Sequence, residues 1–248
     1  MSLKFKSPLA PSISVIIISL NEEFRLPKLL ACLKRQTFKN FEVIVADARS
    51  TDKTRAIAKQ WGARVVEGGP VAVGRNAGAK AAKGSLLVFL DADVTFTNDF
   101  LSKIYESCTL NNYDLAACWS QPDSKRLSSK FFYNFFNVHI WLGQRFSPRV
   151  PGYCIIATRS LYKKLGGFDV RVQFEDTDFS ARARGKARYG IVPVTVTVAD
   201  RRFVPGNRWN TLRTLLRVEF DRLLGIRRFY WYSYPFGEHL EQRKGRTK

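Results

Sequence analysis

The chain has 248 residues, enough for one large domain or one domain with a short appendage. A hydrophobic fraction of 45% with 13% aromatics supplies a continuous core and excludes a disordered chain away from the ends. Lys and Arg number 41 against 21 Asp and Glu; the net charge of +20 favours nucleic acid, anionic lipid or diphosphate partners without choosing among them.

From the N-terminus, ISVIIISL (13–20) is an unbroken apolar run of the kind shown by a strand covered on both faces. EEFRLPKLLACLKRQ predicts a helix with Leu26, Leu29, Leu30 and Leu33 on one face, and FEVIVAD (41–47) a second strand. STDKTRAIAKQWG predicts a helix capped by Ser50 or Asp52 and ended by Gly62. ARVVEG is a short strand, GRNAGAKAAKG a small-residue helix, and SLLVFLDAD (85–93) a strand running into two carboxylates. YCIIATRSLYKKLGGFD (153–169) reads as strand, helix and Gly-Gly turn. FEDTDFSARARG opens a helix with acids in its first turn, where the helix dipole favours them, and IVPVTVTV (191–198) is a strand. Between Arg208 and Leu224 the residues Trp209, Leu212, Leu216, Phe220 and Leu223 recur at helical spacing among arginines.

Strands alternating with helices predict an α/β protein with a doubly wound, mostly parallel sheet, whose ligand sits beyond the carboxyl ends of the strands. Asn21, Asp47, Asp91 and Asp93 all fall at such ends. Cys32, Cys108, Cys118 and Cys154 are far apart, with no metal-binding spacing, and read as reduced, buried thiols. The N-terminal MSLKFKSPLAPS lacks the apolar core of a secretion signal, and no run reaches the roughly 20 apolar residues that span a bilayer. His139 and His239 stand at no spacing that marks metal ligands.

Asp91-Ala92-Asp93, at the end of a buried strand, suits a hard cation such as Mn²⁺ or Mg²⁺. Both carboxylates address one side only if the chain turns there, because a strand alternates its faces. The competing reading is an ordinary turn or helix cap.

Taken in order, ISVIIISLNEE, FEVIVADARSTDKT, GRNAGAKAAKGSLLVFLDADV, GYCIIATRSLYKKLGGFD and FEDTDFSARAR resemble the motifs of the large inverting glycosyltransferase family with the GT-A fold, from about Ser12 to Phe203. The resemblance implies a Rossmann-like nucleotide-binding half and an acceptor-binding half within residues 1–206. It puts Ser19, Asn21, Glu22, Asp47, Arg75, Asp91 and Arg202 at the donor, which is a nucleoside-diphosphate sugar. Within that set Asn21 and Glu22 lie near the nucleoside, Asp47 accepts from the base, Arg75 approaches diphosphate or ribose, and Asp91 touches ribose or metal. Asp93 ligates Mn²⁺ or Mg²⁺ with Asp91, and Glu175-Asp176 matches the catalytic pair whose Asp is the general base. Asn21 as a helix cap, Asp47 as a turn cap and Asp178 as a helix-dipole partner are the plainer alternatives. Where the family often has two adjacent acids this chain has Asp47-Ala48, which weakens the base-recognition expectation.

An acid beside the attacking group suits a hydroxyl acceptor, since a sugar hydroxyl needs its proton removed during attack whereas a lipid phosphate does not. The QxxRW motif of the family's processive synthases is absent, Asn207-Arg208-Trp209 being its nearest remnant, so the implied reaction adds a single hexose from a GDP- or UDP-sugar. Arg201 and Arg202 offer guanidinium to a diphosphate or form a solvated basic turn.

Residues 127–146 and RRFYWYSYPF (227–236) set aromatics beside cations, and from residue 200 onward twelve Lys or Arg face five Asp or Glu. That composition describes a surface lying on anionic membrane, or a helix packed on its own domain with a solvated basic face. Residues 207–248 are thus expected to be a basic, amphipathic, membrane-interfacial extension. The expected location is the inner face of the cytoplasmic membrane, with a lipid-linked acceptor and no nucleic acid partner. A polyprenyl-phosphate hexose synthase and a non-catalytic RNA- or membrane-binding protein are the rival readings.

Overall fold

The computed structural model describes residues 10–144 and 148–199 together with the helical positions Arg213 and Arg217. Arg202 and the extension expected over 207–248, those two positions apart, lie outside the described residues. In chain order the elements are β1 (Ile13–Ser19), α1 (Leu26–Lys34), β2 (Phe41–Asp47), α2 (Thr54–Gln60), β3 (Arg64–Glu67), α3 (Val71–Ala81), β4 (Leu86–Asp91) and β5 (Val94–Thr95). There follow α4 (Phe100–Leu110), β6 (Leu115–Pro122), α5 (Leu127–Gly143), β7 (Cys154–Thr158), α6 (Arg159–Lys164), α7 (Glu175–Ala183) and β8 (Tyr189–Val198).

The eight described strands form one sheet in the order β3-β2-β1-β4-β7-β6-β8-β5. Strands β3, β2, β1 and β4 are mutually parallel, so their carboxyl ends share one edge. Register lines these ends up: Ser19 opposes Asp47, Asp47 opposes Glu67, and Ile18 opposes Asp91. Strand β7 runs antiparallel to both β4 and β6, which brings its first residue, Cys154, to the same edge. The segment just before β7 therefore meets the carboxyl ends of the parallel strands.

The apolar runs read in the sequence are buried because helices cover both faces. Leu26, Leu29, Leu30 and Leu33 of α1 pack with Ala58 of α2 and with Phe100 and Ile104 of α4 against one face. Ala72 and Ala79 of α3, Leu161 of α6 and Phe179 of α7 cover the other. Truncating a wholly buried residue such as Leu33 to Ala should cost about 2–5 kcal/mol. All four cysteines are buried and free.

Helix α1 begins four residues later than the pattern suggests, and the reason is local. Asn21 adopts a left-handed backbone (φ 53°), and the amides of Glu22 and Glu23 are held across the loop by Thr54 Oγ1 at 2.8 Å and Asp52 Oδ2 at 3.1 Å. Helix α3 begins earlier than expected, directly after Pro70, which stands at its N-cap and accepts from the Gly74 amide at 2.9 Å. The Gly-Gly turn is present, with Gly166 and Gly167 at φ 73° and 78°.

Candidate active site

At the β1 and β2 ends the polar residues are bound to one another. Asp47 is wholly buried; its Oδ1 accepts from Ser19 Oγ at 3.1 Å and Ser50 Oγ at 2.6 Å, and its Oδ2 from the Ser50 amide at 2.9 Å. Arg55 Nη1 lies 3.5 Å from Oδ2. Asp47 thus caps the turn that follows β2, one of the two roles its position suggests. Asn21 does not cap α1; its side-chain oxygen instead accepts from the Thr51 amide at 2.8 Å, while its own amide donates to Ser50 Oγ at 2.8 Å. Glu22 is buried, with Arg25 Nη1 at 3.6 Å from Oε2. Ser19, Asn21, Glu22 and Asp47 therefore build a rigid wall joining the first two strand ends.

At the end of β4 the chain turns at Ala92-Asp93 before β5, which meets the condition for both carboxylates to serve one side. The Asp91 amide donates to Tyr153 O at 3.2 Å, tying this end to the segment before β7.

Arg75 connects these parts. It lies on α3 with its side chain 2% exposed. Nη1 donates to Glu175 Oε1, while Nη2 donates to Gly152 O at 2.7 Å and lies 3.6 Å from Asp91 Oδ1. The guanidinium also sits over the Phe168 ring at 5.5 Å. One buried cation therefore gathers the β4 end, the loop before β7 and the first turn of α7. Burial pushes the Glu175 carboxyl up to about 7; neighbouring Arg75 opposes this and the adjacent Asp176 reinforces it.

Asp176 is partly exposed, with Oδ1 accepting from the Thr177 amide at 2.7 Å. Its Oδ2 faces Gly152 so closely that a Cβ built there would lie 2.9 Å from it and 3.3 Å from Arg75 Nη2. Asp178, its neighbour in the motif, is buried and engaged elsewhere. It accepts from Arg182 Nε at 2.6 Å, and Arg182 in turn donates to Leu165 O at 2.5 Å and Gly167 O at 2.8 Å. Asp178 thus braces the Gly-Gly turn, while Asp176 keeps an oxygen beside Gly152.

Gly152 and Asn76 contribute in ways their types do not announce. Asn76 accepts from Tyr162 Oη at 2.8 Å and the Phe168 amide at 2.9 Å, and donates to Phe168 O at 2.8 Å, so α3 holds the turn before α7. Both stand inside motifs quoted from the sequence, but nothing there says what they touch. An open cleft of about 660 Å³, lined by Lys28, Arg35, Thr95, Lys103 and Thr197 among others, shares none of the site residues.

The donor set suits a hard divalent cation: Asp91 and Asp93 offer carboxylate oxygens, and Mg²⁺-like ions are commonly held by one or two carboxylates plus substrate phosphates and water. Among the described residues no cluster of three acidic, His or Cys side chains could hold a metal by itself.

Residues 14–164 match the model of Glycosyl transferase family 2. The 4,4'-diaponeurosporenoate glycosyltransferase of Staphylococcus haemolyticus is 39% identical over 112 residues, covering 41% of this chain and 30% of that protein. The validoxylamine A glucosyltransferase of Streptomyces hygroscopicus subsp. limoneus is 38% identical over 94 residues, covering 34% of this chain and 21% of its own length. The chain thus spans under a third of each of these two relatives. Among solved structures, mannosyltransferase PcManGT from Pyrobaculum calidifontis, in complex with GDP-Man and Mn²⁺, superposes with TM-score 0.68 at 22% identity, covering 87% of this chain and 65% of that one. S. aureus TarS 1–349 in complex with UDP-GlcNAc gives TM-score 0.61 at 20% identity, covering 85% and 67%. At these identities the likeness shows the fold, which is GT-A.

Proposed function

The chain belongs to glycosyl transferase family 2, and on that premise we propose that it is an inverting, metal-dependent hexosyltransferase. It moves one hexose from a GDP- or UDP-sugar to a hydroxyl of a lipid-linked glycan. The observation that carries this reading is Arg75, which joins the carboxylate end of β4 to the helix start bearing Asp176. Donor-side and acceptor-side acids belong to one rigid cluster, as a one-step displacement requires. The donor class draws support from two structural neighbours whose complexes hold GDP-Man with Mn²⁺ and UDP-GlcNAc.

In this reading Ser19, Asn21, Glu22 and Asp47 shape the nucleoside wall, and Arg202 meets the diphosphate. Asp91 and Asp93 hold Mn²⁺ or Mg²⁺, which when bound offsets the charge that builds on the departing diphosphate. Arg75, being buried, orients Asp91 and Glu175. Asp176 takes the proton of the acceptor hydroxyl as its oxygen attacks the anomeric carbon. The bond from that carbon to the diphosphate oxygen breaks, its electron pair leaves with the nucleoside diphosphate, and the anomeric configuration inverts. Residues 1–206 form the transferase domain, and the basic segment 207–248 helps to hold the enzyme at the inner membrane face.

Thermal shifts with UDP and GDP, with and without Mn²⁺, test the donor half: a nucleotide-plus-metal shift larger than the two separate shifts combined is expected. The absence of any nucleotide effect would overturn the reading.

A further inference from the structure

Six of the ten large apolar side chains exposed among the described residues stand on one helix, α5: Leu127, Phe131, Phe135, Val138, Trp141 and Leu142. Each is 51–83% exposed. At 100° per residue they fall within an arc of about 120°, a stripe along a helix about 25 Å long that the exposed polar Asn134 interrupts once. The opposite side of α5 is anchored. Tyr133 and Ile140 enter the core, Asn137 Nδ2 donates to Ser120 O at 2.8 Å, and the Ser120 amide donates to Asn137 Oδ1 at 3.1 Å. The stripe is therefore held outward by a fixed helix and does not belong to a frayed one.

The helix and the segment that follows it carry charge of one sign. From Ser124 to Phe168 the sequence has no Asp or Glu and eight Lys or Arg. Lys125, Arg126 and Lys130, at the first turn of α5, are exposed. No described helix is long and apolar enough to cross a membrane. An anchored helix of this length, apolar on one arc and flanked by cations, fits the plane of a headgroup layer.

We propose that α5 is an in-plane docking element for an anionic lipid bilayer, with the Leu127–Leu142 stripe entering the interface and Lys125, Arg126 and Lys130 meeting lipid phosphates. Docking here is separate from the attachment assigned to residues 207–248. What it serves rests on the transferase reading: Arg149, whose Nη1 donates to His139 O of α5 at 3.5 Å, is three residues before Gly152, beside Asp176. A docked helix therefore keeps the proton acceptor near the membrane plane, where a lipid-borne hydroxyl is carried.

Vesicle co-sedimentation of the full chain tests this, using phosphatidylcholine with and without phosphatidylglycerol, beside a Phe131→Ser/Phe135→Ser/Leu142→Ser variant. Wild type should partition onto the anionic vesicles, less so as salt rises, and the variant should lose at least about tenfold in partitioning. A Lys125→Glu/Lys130→Glu variant should show a weaker anionic preference than wild type while keeping the apolar stripe, the basic segment 207–248 being unchanged. Unchanged partitioning in the serine variant, or equal partitioning of wild type onto neutral vesicles, would overturn the proposal. So would a wild-type dimer that the serine variant turns into a monomer, because a second copy would then cover the stripe. UDP and GDP thermal shifts with Mn²⁺, run on the same samples, separate the outcomes. A retained shift certifies the variant's fold, and no shift in any sample removes the transferase reading without touching the vesicle result.

Discussion

Arg75 on α3 and Glu175 on α7, 100 residues apart in sequence, form a buried ion pair with side chains 2% and 8% exposed. A buried pair is costly to break from one side, because the remaining charge is left without compensation. The same guanidinium reaches Gly152 O and Asp91, so the pair sets how α7 sits against the β4 end.

Gly152→Ala should separate activity from stability. The added Cβ meets Asp176 Oδ2 at 2.9 Å and Arg75 Nη2 at 3.3 Å, and of the two Asp176 is the one free to shift. Misplacing a reacting group by about 1 Å can cost on the order of 10²-fold. Transfer should therefore fall by about that factor while the melting temperature drops only a few degrees. Full activity in the alanine variant would show that Asp176 does not act from this position.

The motif's two aspartates should fail differently. Asp176→Asn should leave donor binding intact and lower kcat by about 10²–10⁴-fold, the usual contribution of a positioned base. Asp178→Asn should destabilise by about 1–3 kcal/mol, since it weakens a buried partner of Arg182 and loosens the turn at Leu165–Gly167. Denaturation midpoints and single-turnover rates for both variants check this, and an exchange of the two phenotypes would reassign the base.

Glu175 makes stability depend on pH in a stated direction. Its carboxyl is pushed up to about 7 from an ordinary 4.5, chiefly by burial. The folded state therefore holds the proton more tightly, and the contribution is complete below about 4.5 and lost as pH rises through about 7. Relative to Glu175→Gln, which stays neutral, wild type should lose up to about 3 kcal/mol over that window. Denaturant titrations across the range measure it. A gain of wild-type stability relative to Glu175→Gln as pH rises would mean that the Arg75 pairing outweighs burial.

Much of this arrangement was legible before the fold. The runs at 13–19, 41–47 and 86–91 are covered on both faces, so their apolar character is nearly unbroken, and Asp47 and Asp91, which end the second and third, mark the ligand edge. The register that sets Ser19 opposite Asp47 and Ile18 opposite Asp91 follows from the parallel pairing that the alternation of elements implied. Strand β6 escaped because its second half, Trp119 to Pro122, mixes polar Ser120 and Gln121 with Trp and Pro, and α4 went unread although Phe100, Leu101, Ile104 and Cys108 stand at helical spacing. The role of Gly152 was not readable at all. A glycine needed for close approach differs from a turn glycine only in its neighbours, which here come from positions 75 and 176.

The most direct test of the central claim is release of nucleoside diphosphate from GDP- and UDP-sugars in the presence of Mn²⁺, comparing wild type with Asp93→Asn. Wild type should turn over at least one of these donors only with the cation, and the variant should lose both the metal-dependent turnover and metal-dependent nucleotide binding, because a neutral amide oxygen replaces an anionic ligand. Metal-dependent turnover that survives intact in Asp93→Asn would contradict the assignment of this carboxylate, and no turnover of any nucleotide sugar by wild type would contradict the transferase itself.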